Sequence, residues 1–296
     1  MKRAKRPTNP RLKAHLGAKK HDTLFIGDVS LHLQKKIDDR AAHVIHPSEM
    51  AKTNWCPRAT WLRIIGRKLK TLPPPHALRS ELIFAEGHDI HFKWQQWAKE
   101  MGVLWGTWEC IHCHVRIKAW SDNLWTTRCG EKYGVMMHEW KYKEVPLRQG
   151  LVAGHSDGII NPSTEESLVL EAKSIGPGTL RKLDLIRDDE PDDVAVTQFA
   201  KISRPMKEHF LQTQIYLRLA NEDPEVQAET GPLRRAVVLY EHKADQRVRE
   251  FVVTYRSDWT MDLFDTALDI KWAVDNDREI RCPYGGCSQC ESYEEN

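Results

Sequence analysis

No apolar run in the chain approaches the roughly 18 residues a membrane-spanning helix needs, and no apolar stretch follows the basic opening MKRAKRPTNPRLKAHL to form a signal peptide. Both absences predict a cytoplasmic protein with no membrane contact. Internal repeats and low-complexity segments are missing as well, and there is no GxxxxGK[ST] phosphate loop, which leaves ATP-driven chemistry without support. Asp and Glu are absent from the first twenty positions, where eight residues are Lys or Arg. Such an arm favours a nucleic-acid backbone, and the plain alternative is a solubilising tail. Over the whole chain, 44 basic residues nearly balance 42 acidic ones and leave a net charge of +2, so the bulk charge alone does not announce a nucleic-acid binder. An even cysteine count is lacking too. Seven cysteines in a reducing compartment argue against a disulfide framework and for metal or cluster ligation.

What is present suits a soluble, well-cored globule. The 296 residues are 41% hydrophobic, with a mean hydropathy of -0.58. Five stretches are expected: a basic arm with a first helix (1–45), a helical part (46–104), a Trp-, Cys- and His-rich insertion (105–143), a strand-bearing core (144–281) and a closing cysteine segment (282–296). Residues 28–67 look helical, with Ser48 as a candidate N-cap and Pro57 opening a second short helix. TLPPP at 71–75 breaks the chain. The next helix runs over about 80–101, its apolar positions Leu82, Ile83, Ile90, Trp94 and Trp97 recurring at helical intervals. KYKEVPL, LVAGHSDGIINP and SLVLEAKS read as a strand meander with NPSTEE as the last turn. Pro191 marks a loop, HFLQTQIYLRLA a helix, RRAVVLYEHK and VREFVVTYR a late hairpin, and 259–275 a final helix.

Asp157 and Glu171 each lie seven residues from Thr164, so a symmetric hairpin sets them opposite one another. Lys173, two residues beyond Glu171, falls on the same face. A carboxylate pair of this kind suits Mg2+ or Mn2+, which take oxygen ligands and leave positions for water and phosphate. The lysine could orient or deprotonate an attacking water, the latter provided its pKa is lowered. The alternative is a surface ion pair between Glu171 and Lys173, with Asp157 an ordinary turn residue.

G-x-x-D at Gly154–Asp157 followed by Glu171-Ala172-Lys173 resembles the PD-(D/E)XK nucleases, in particular the RecB-like branch. GHDIH, ending at His91, supplies G-x-x-x-H, and QTQIY supplies Q-x-x-x-Y at Gln212 and Tyr216, one face of a helix. Cysteines at both ends bracket these motifs. The whole pattern is similar to the iron-sulfur exonucleases related to CRISPR-associated RecB-like nucleases and to the AddB nuclease domain, of phage or bacterial type, and spans residues 56–290. The resemblance implies a mixed α/β fold with a central sheet flanked by helices. It also implies metal ligation by His91, Asp157, Glu171 and the Ala172 carbonyl, with Lys173 as catalytic lysine and Gln212 and Tyr216 positioning the strand or the surrounding shell. The implied activity is a DNA exonuclease acting in recombination, repair or CRISPR-type processing, on DNA with a free end or single strand and with a recombination or CRISPR protein as candidate partner. A phage-encoded protein would work in the host cytoplasm. Two rivals stay open: a structure-specific endonuclease or nickase, and a non-catalytic DNA-end-binding protein.

Cys56, Cys282, Cys287 and Cys290 make four thiolates, the number a 4Fe-4S cluster requires. The last three depart from the C-x2-C-x5-C spacing expected in the family, and a four-cysteine zinc site is the alternative. Cys110, Cys113 and Cys129 resemble a zinc ribbon in which Lys132 stands where the fourth cysteine belongs, with His138, His112 or His114 as its substitute. A decayed ribbon held by Trp105, Trp108, Trp120 and Trp125 is the other reading.

Overall fold

Apolar runs open or centre two segments, Leu168-Val169-Leu170 and Ala236-Val237-Val238-Leu239-Tyr240, as strands buried on both faces require. In the computed structural model these become β7 (Leu168–Ile175) and β8 (Arg235–His242), paired in parallel at the centre of a seven-stranded mixed sheet. The structure describes residues 24–33, 41–71, 78–124, 129, 137–162, 166–187, 189–190 and 192–294. The basic arm, Trp125, Lys132, Thr164 and Pro191 lie outside these, as does all of TLPPP except Thr71.

The chain forms two units, residues 1–39 with 73–84 and residues 40–72 with 85–296. The first holds α1 (Leu24–Leu33) and the opening turns of α4 (Leu78–Glu100). The second holds the rest of α4, α2 (Pro47–Met50), α3 (Pro57–Ile64) and the sheet. Its strand order is β2 (Arg116–Trp120), β1 (Leu104–Cys110), β6 (Gly158–Ile160), β7, β8, β9 (Val248–Thr254), with β3 (Trp140–Lys143) also on β1. Every pairing except β7–β8 is antiparallel. A separate hairpin joins β4 (Val145–Gln149) to β5 (Val152–Ser156).

The parallel step from β7 to β8 passes through α5 (Pro177–Lys182), α6 (Asp192–Phe199), α7 (Lys207–Glu222) and α8 (Pro224–Thr230), as a parallel crossover requires. The period-2 alternation of β7 then separates two cores. Val169 joins Ile215 and Leu219 of α7 and Ile270 of α9 (Met261–Asp275), whereas Leu168 and Leu170 face Trp94 of α4 with Val237 and Leu239. A short α10 (Ser288–Glu291) closes the described chain. No described helix is long and apolar enough to cross a membrane.

Several sequence readings change here. His46 precedes α2 and Pro47 opens it, so Ser48 lies inside that helix and does not cap it. Leu82, Ile83 and Trp97 are exposed, and only Ile90 of the expected apolar stripe is buried. Residues 105–143 are not a module apart. Their first strand pairs with β2 on one edge and with β6 and β3 on the other, extending the central sheet.

Gly154 of β5 shows why a glycine stands three residues before Asp157. A Cβ there would lie 2.7 and 2.9 Å from the Pro47 ring and 3.2 Å from the Tyr216 hydroxyl. Gly154→Ala should therefore force β5 off α2 and cost about 1–3 kcal/mol, the usual range for overpacking. An unchanged denaturation midpoint and slope in urea would show that the contact yields freely.

Candidate active site and metal centres

β6 and β7 pair as Gly158↔Leu170 and Ile159↔Val169, and the next step along this register sets Asp157 opposite Glu171. Beyond that step β6 has ended. The amide of Ala172 donates instead to Asp157 Oδ2, at 2.6 Å. The other carboxylate oxygen meets His91 Nδ1 at 2.9 Å. Lys173 pairs with Glu171 Oε1, so both lie on one face of β7 as the strand period predicts. Asp157 and Glu171 are 6% and 1% exposed, which places two carboxylates in a low-dielectric setting and removes the reading of a surface ion pair.

His91 is aimed by its helix. Lys93 and Trp94 Nε1 hold the buried Glu241 of β8, Gln95 Nε2 donates to the Asp157 carbonyl at 2.9 Å, and Lys99 Nζ donates to the Trp140 carbonyl at 2.8 Å. His91, Gln95 and Lys99 recur every four residues, one stripe of α4 laid over the end of β6. Gln212 and Tyr216 are also brought in. They are buried on α7, where burial and the Glu171 and Asp157 charges push the Tyr216 phenol well above its usual range.

The sequence reading missed Glu144, between β3 and β4. One carboxylate oxygen each from Glu144 and Asp157 lies with a His91 nitrogen within 4.8 Å of one another. Gln95 Nε2 also approaches Glu144 Oε1, at 3.4 Å. No period marks this residue in the sequence, because KYKEVPL reads as one strand and the chain changes sheets at Glu144.

Burial pushes Glu171 up to about 7, with the Asp157 charge adding to the rise and Lys173 opposing it. Asp157 is buried as deeply, yet its hydrogen bond and charge pairing with His91, with help from Lys173 and the Ala172 amide, hold it below the usual carboxylate range. Burial would lower His91, but Asp157 outweighs this and raises it above 6.5. For Lys173 too, burial is outweighed by the charges of Glu171 and Asp157, which raise it. The lysine is therefore held as an ammonium. It can orient a water or steady a phosphate oxygen, and the lowered pKa that a base would need is absent in this arrangement.

Two cysteine sets stand elsewhere. Cys56, Cys282, Cys287 and Cys290 place their four sulfurs within 4.8 Å of one another, with Cys56–Cys282 at 3.8 Å and Cys287–Cys290 at 3.7 Å. Cys110, Cys113, Cys129 and His138 form the second set, with Cys110–Cys129 at 3.6 Å and Cys113 Sγ to His138 Nδ1 at 3.7 Å. His112 and His114 turn away to Glu139 and Glu109. The first cysteine of each C-x2-C step is primed as a ligand. Backbone amides of Cys113 and His112 outweigh burial and bring Cys110 down to about 5, and those of Cys290 and Gln289 help bring Cys287 to about 7. A tetrahedral zinc about 2.3 Å from each ligand sets sulfurs about 3.8 Å apart, the spacing of both sets.

A metal on the His91 nitrogen or on Glu171 must displace their protons. With Glu171 near 7 and His91 raised above 6.5, protons win at low pH. Mn2+ affinity should accordingly climb as pH rises from about 6 to 8, releasing protons, and level off above that. Calorimetry in two buffers of different ionisation enthalpy measures both, and a pH-independent affinity without proton release would remove His91 and Glu171 as ligands.

No protein-family profile and no curated protein matches the chain. Among solved structures, "Crystal structure of SSO0001" is 14% identical, covering 83% of this chain and 85% of that one, with a TM-score of 0.35. A likeness of that degree fixes neither fold nor function.

Proposed function

We propose that the chain is a Mg2+- or Mn2+-dependent deoxyribonuclease of the PD-(D/E)XK, RecB-like type. The observation that carries this reading is the meeting of His91, Asp157, Glu171 and Lys173 where β6 ends against β7. The His91 nitrogen and the Asp157 carboxylate converge as donors for a hard divalent cation, while Glu171 is not among the donors that lie within 4.8 Å of one another and is held by the Lys173 ammonium, which stands by for an anionic substrate. A non-catalytic DNA-binding protein has no use for two carboxylates buried with a lysine. Bound at His91 and Asp157, and at Glu171 as the motif resemblance implies, the cation would offset charge on the phosphate and supply a more acidic water. Lys173 then orients that water or a phosphate oxygen, Asp157 fixes the His91 ring, and Gln212 and Tyr216 wall the site on the α7 side. Exonuclease action, on free-ended or single-stranded DNA in recombination, repair or CRISPR-type processing, follows from the motif resemblance alone.

The four-thiolate set acts as a structural staple. The resemblance implies a 4Fe-4S cluster there, and four cysteines are the donors it needs. The sulfur spacing favours a second reading, a single tetrahedral zinc, since a four-iron cube requires the same sulfurs farther apart. At Cys110, Cys113, Cys129 and His138 the mixed donor set suits zinc.

Anaerobically purified protein should degrade linear DNA with Mn2+ or Mg2+ and stop with EDTA, while closed circles persist. Lys173→Ala and Asp157→Ala should each lose at least about a hundredfold in rate, in line with removing a group that acts on the reacting phosphate. Full activity in either variant would sink the assignment, and cutting of closed circles would select the endonuclease. In the same preparation, about four irons and absorbance near 400 nm identify the cluster, and two zincs with no iron, one for each cysteine set, identify the alternative.

A further inference from the structure

We propose that Glu144 is a ligand of the same divalent cation, completing a set with His91 and Asp157; the inference rests on the metal-dependent reading above. Glu144 occupies the single residue between β3, which belongs to the central sheet, and β4, which belongs to the outer hairpin. The crossing turns its carboxylate inward, where an oxygen of it, an oxygen of Asp157 and a nitrogen of His91 stand within 4.8 Å of one another.

The two glutamates of the site differ in what neutralises them. Glu171 is engaged by Lys173. Among the described residues no lysine or arginine forms an ion pair with Glu144, and its side-chain partner is the neutral amide of Gln95 at 3.4 Å. That amide also donates to the Asp157 carbonyl, so one side chain fixes Glu144 and Asp157 relative to each other. Two carboxylates held this close repel unless a proton or a cation lies between them. Two oxygens and one imidazole nitrogen, already converged, suit Mn2+ or Mg2+ with positions left for water and phosphate. A glutamate serving only to hold Gln95 would not need to face the Asp157 carboxylate.

The test is Mn2+ binding to the full chain, followed by electron paramagnetic resonance or calorimetry, with DNA cleavage measured separately. Glu144→Gln keeps the shape and removes the charge, and should weaken Mn2+ binding by about tenfold or more. Glu144→Asp should bind between that variant and wild type. Circular dichroism checks folding, and if Glu144→Gln does not fold, Glu144→Asp must still bind Mn2+ more weakly than wild type. Wild-type affinity in a folded variant overturns the proposal. Cleavage by the wild type together with an unchanged Glu144→Gln leaves the nuclease reading standing and removes Glu144 from the site. Glu144-dependent Mn2+ binding with intact DNA does the reverse, and a wild type that binds no Mn2+ overturns both.

Discussion

Residue 157 joins two elements that no backbone ladder connects. One carboxylate oxygen takes the His91 ring of α4, the other takes the Ala172 amide of β7, and the main-chain carbonyl accepts from Gln95 and from the Tyr142 hydroxyl, the latter at 3.3 Å. A carboxylate this buried is tolerable only because each oxygen is satisfied. The same bonds make the site: they continue from the last β6–β7 pair, Gly158↔Leu170, to the Ala172 amide, and hold α4 where His91 and Gln95 reach in. The geometry of the candidate site and the docking of α4 are thus one constraint.

The second long-range constraint is the return of the C-terminal segment to α3. Cys56 and Cys282 are 226 positions apart, yet the closure does not rest on sulfur alone. Tyr284 donates to the Trp55 carbonyl and Gln289 to that of Asn54, while main-chain bonds join Lys70 to Ser292 and Glu294 to Lys68. The backbone brings the cysteines together before any ion is considered, so a metal there tightens a fold already specified. Because loop-closure entropy grows only logarithmically with length, the large separation adds little cost.

These two constraints were unequally visible in the sequence. Asp157 opposite Glu171, with Lys173 on the Glu171 face, follows from strand period and turn symmetry, both local properties, and the register agrees. His91, Gln212 and Tyr216 entered through motif order, since on helical spacing alone each passes for packing or surface. Glu144 was invisible because its meaning depends on the chain leaving one sheet for another, which no hydrophobic pattern records. Among the three candidate histidines, His138 is singled out by where β3 begins, while His112 and His114 stay within their own turn and bond carboxylates beside it. The insertion looked separate because its aromatic, cysteine-rich composition hides the few positions, Leu104↔Ile160 and Trp105↔Ile159, that stitch it to the sheet.

The electrostatics of the site assign an order to its partners. Three carboxyl groups, Asp157, Glu171 and Glu144, face one ammonium and one imidazole, so the cluster leans negative once Glu171 and Glu144, both raised by burial, are ionised. A phosphate approaching such a cluster meets repulsion that Lys173, already engaged by Glu171, offsets only in part. A divalent cation would meet the opposite field. The ion pair that makes Lys173 a poor base in this arrangement therefore also withholds most of its charge from an incoming anion.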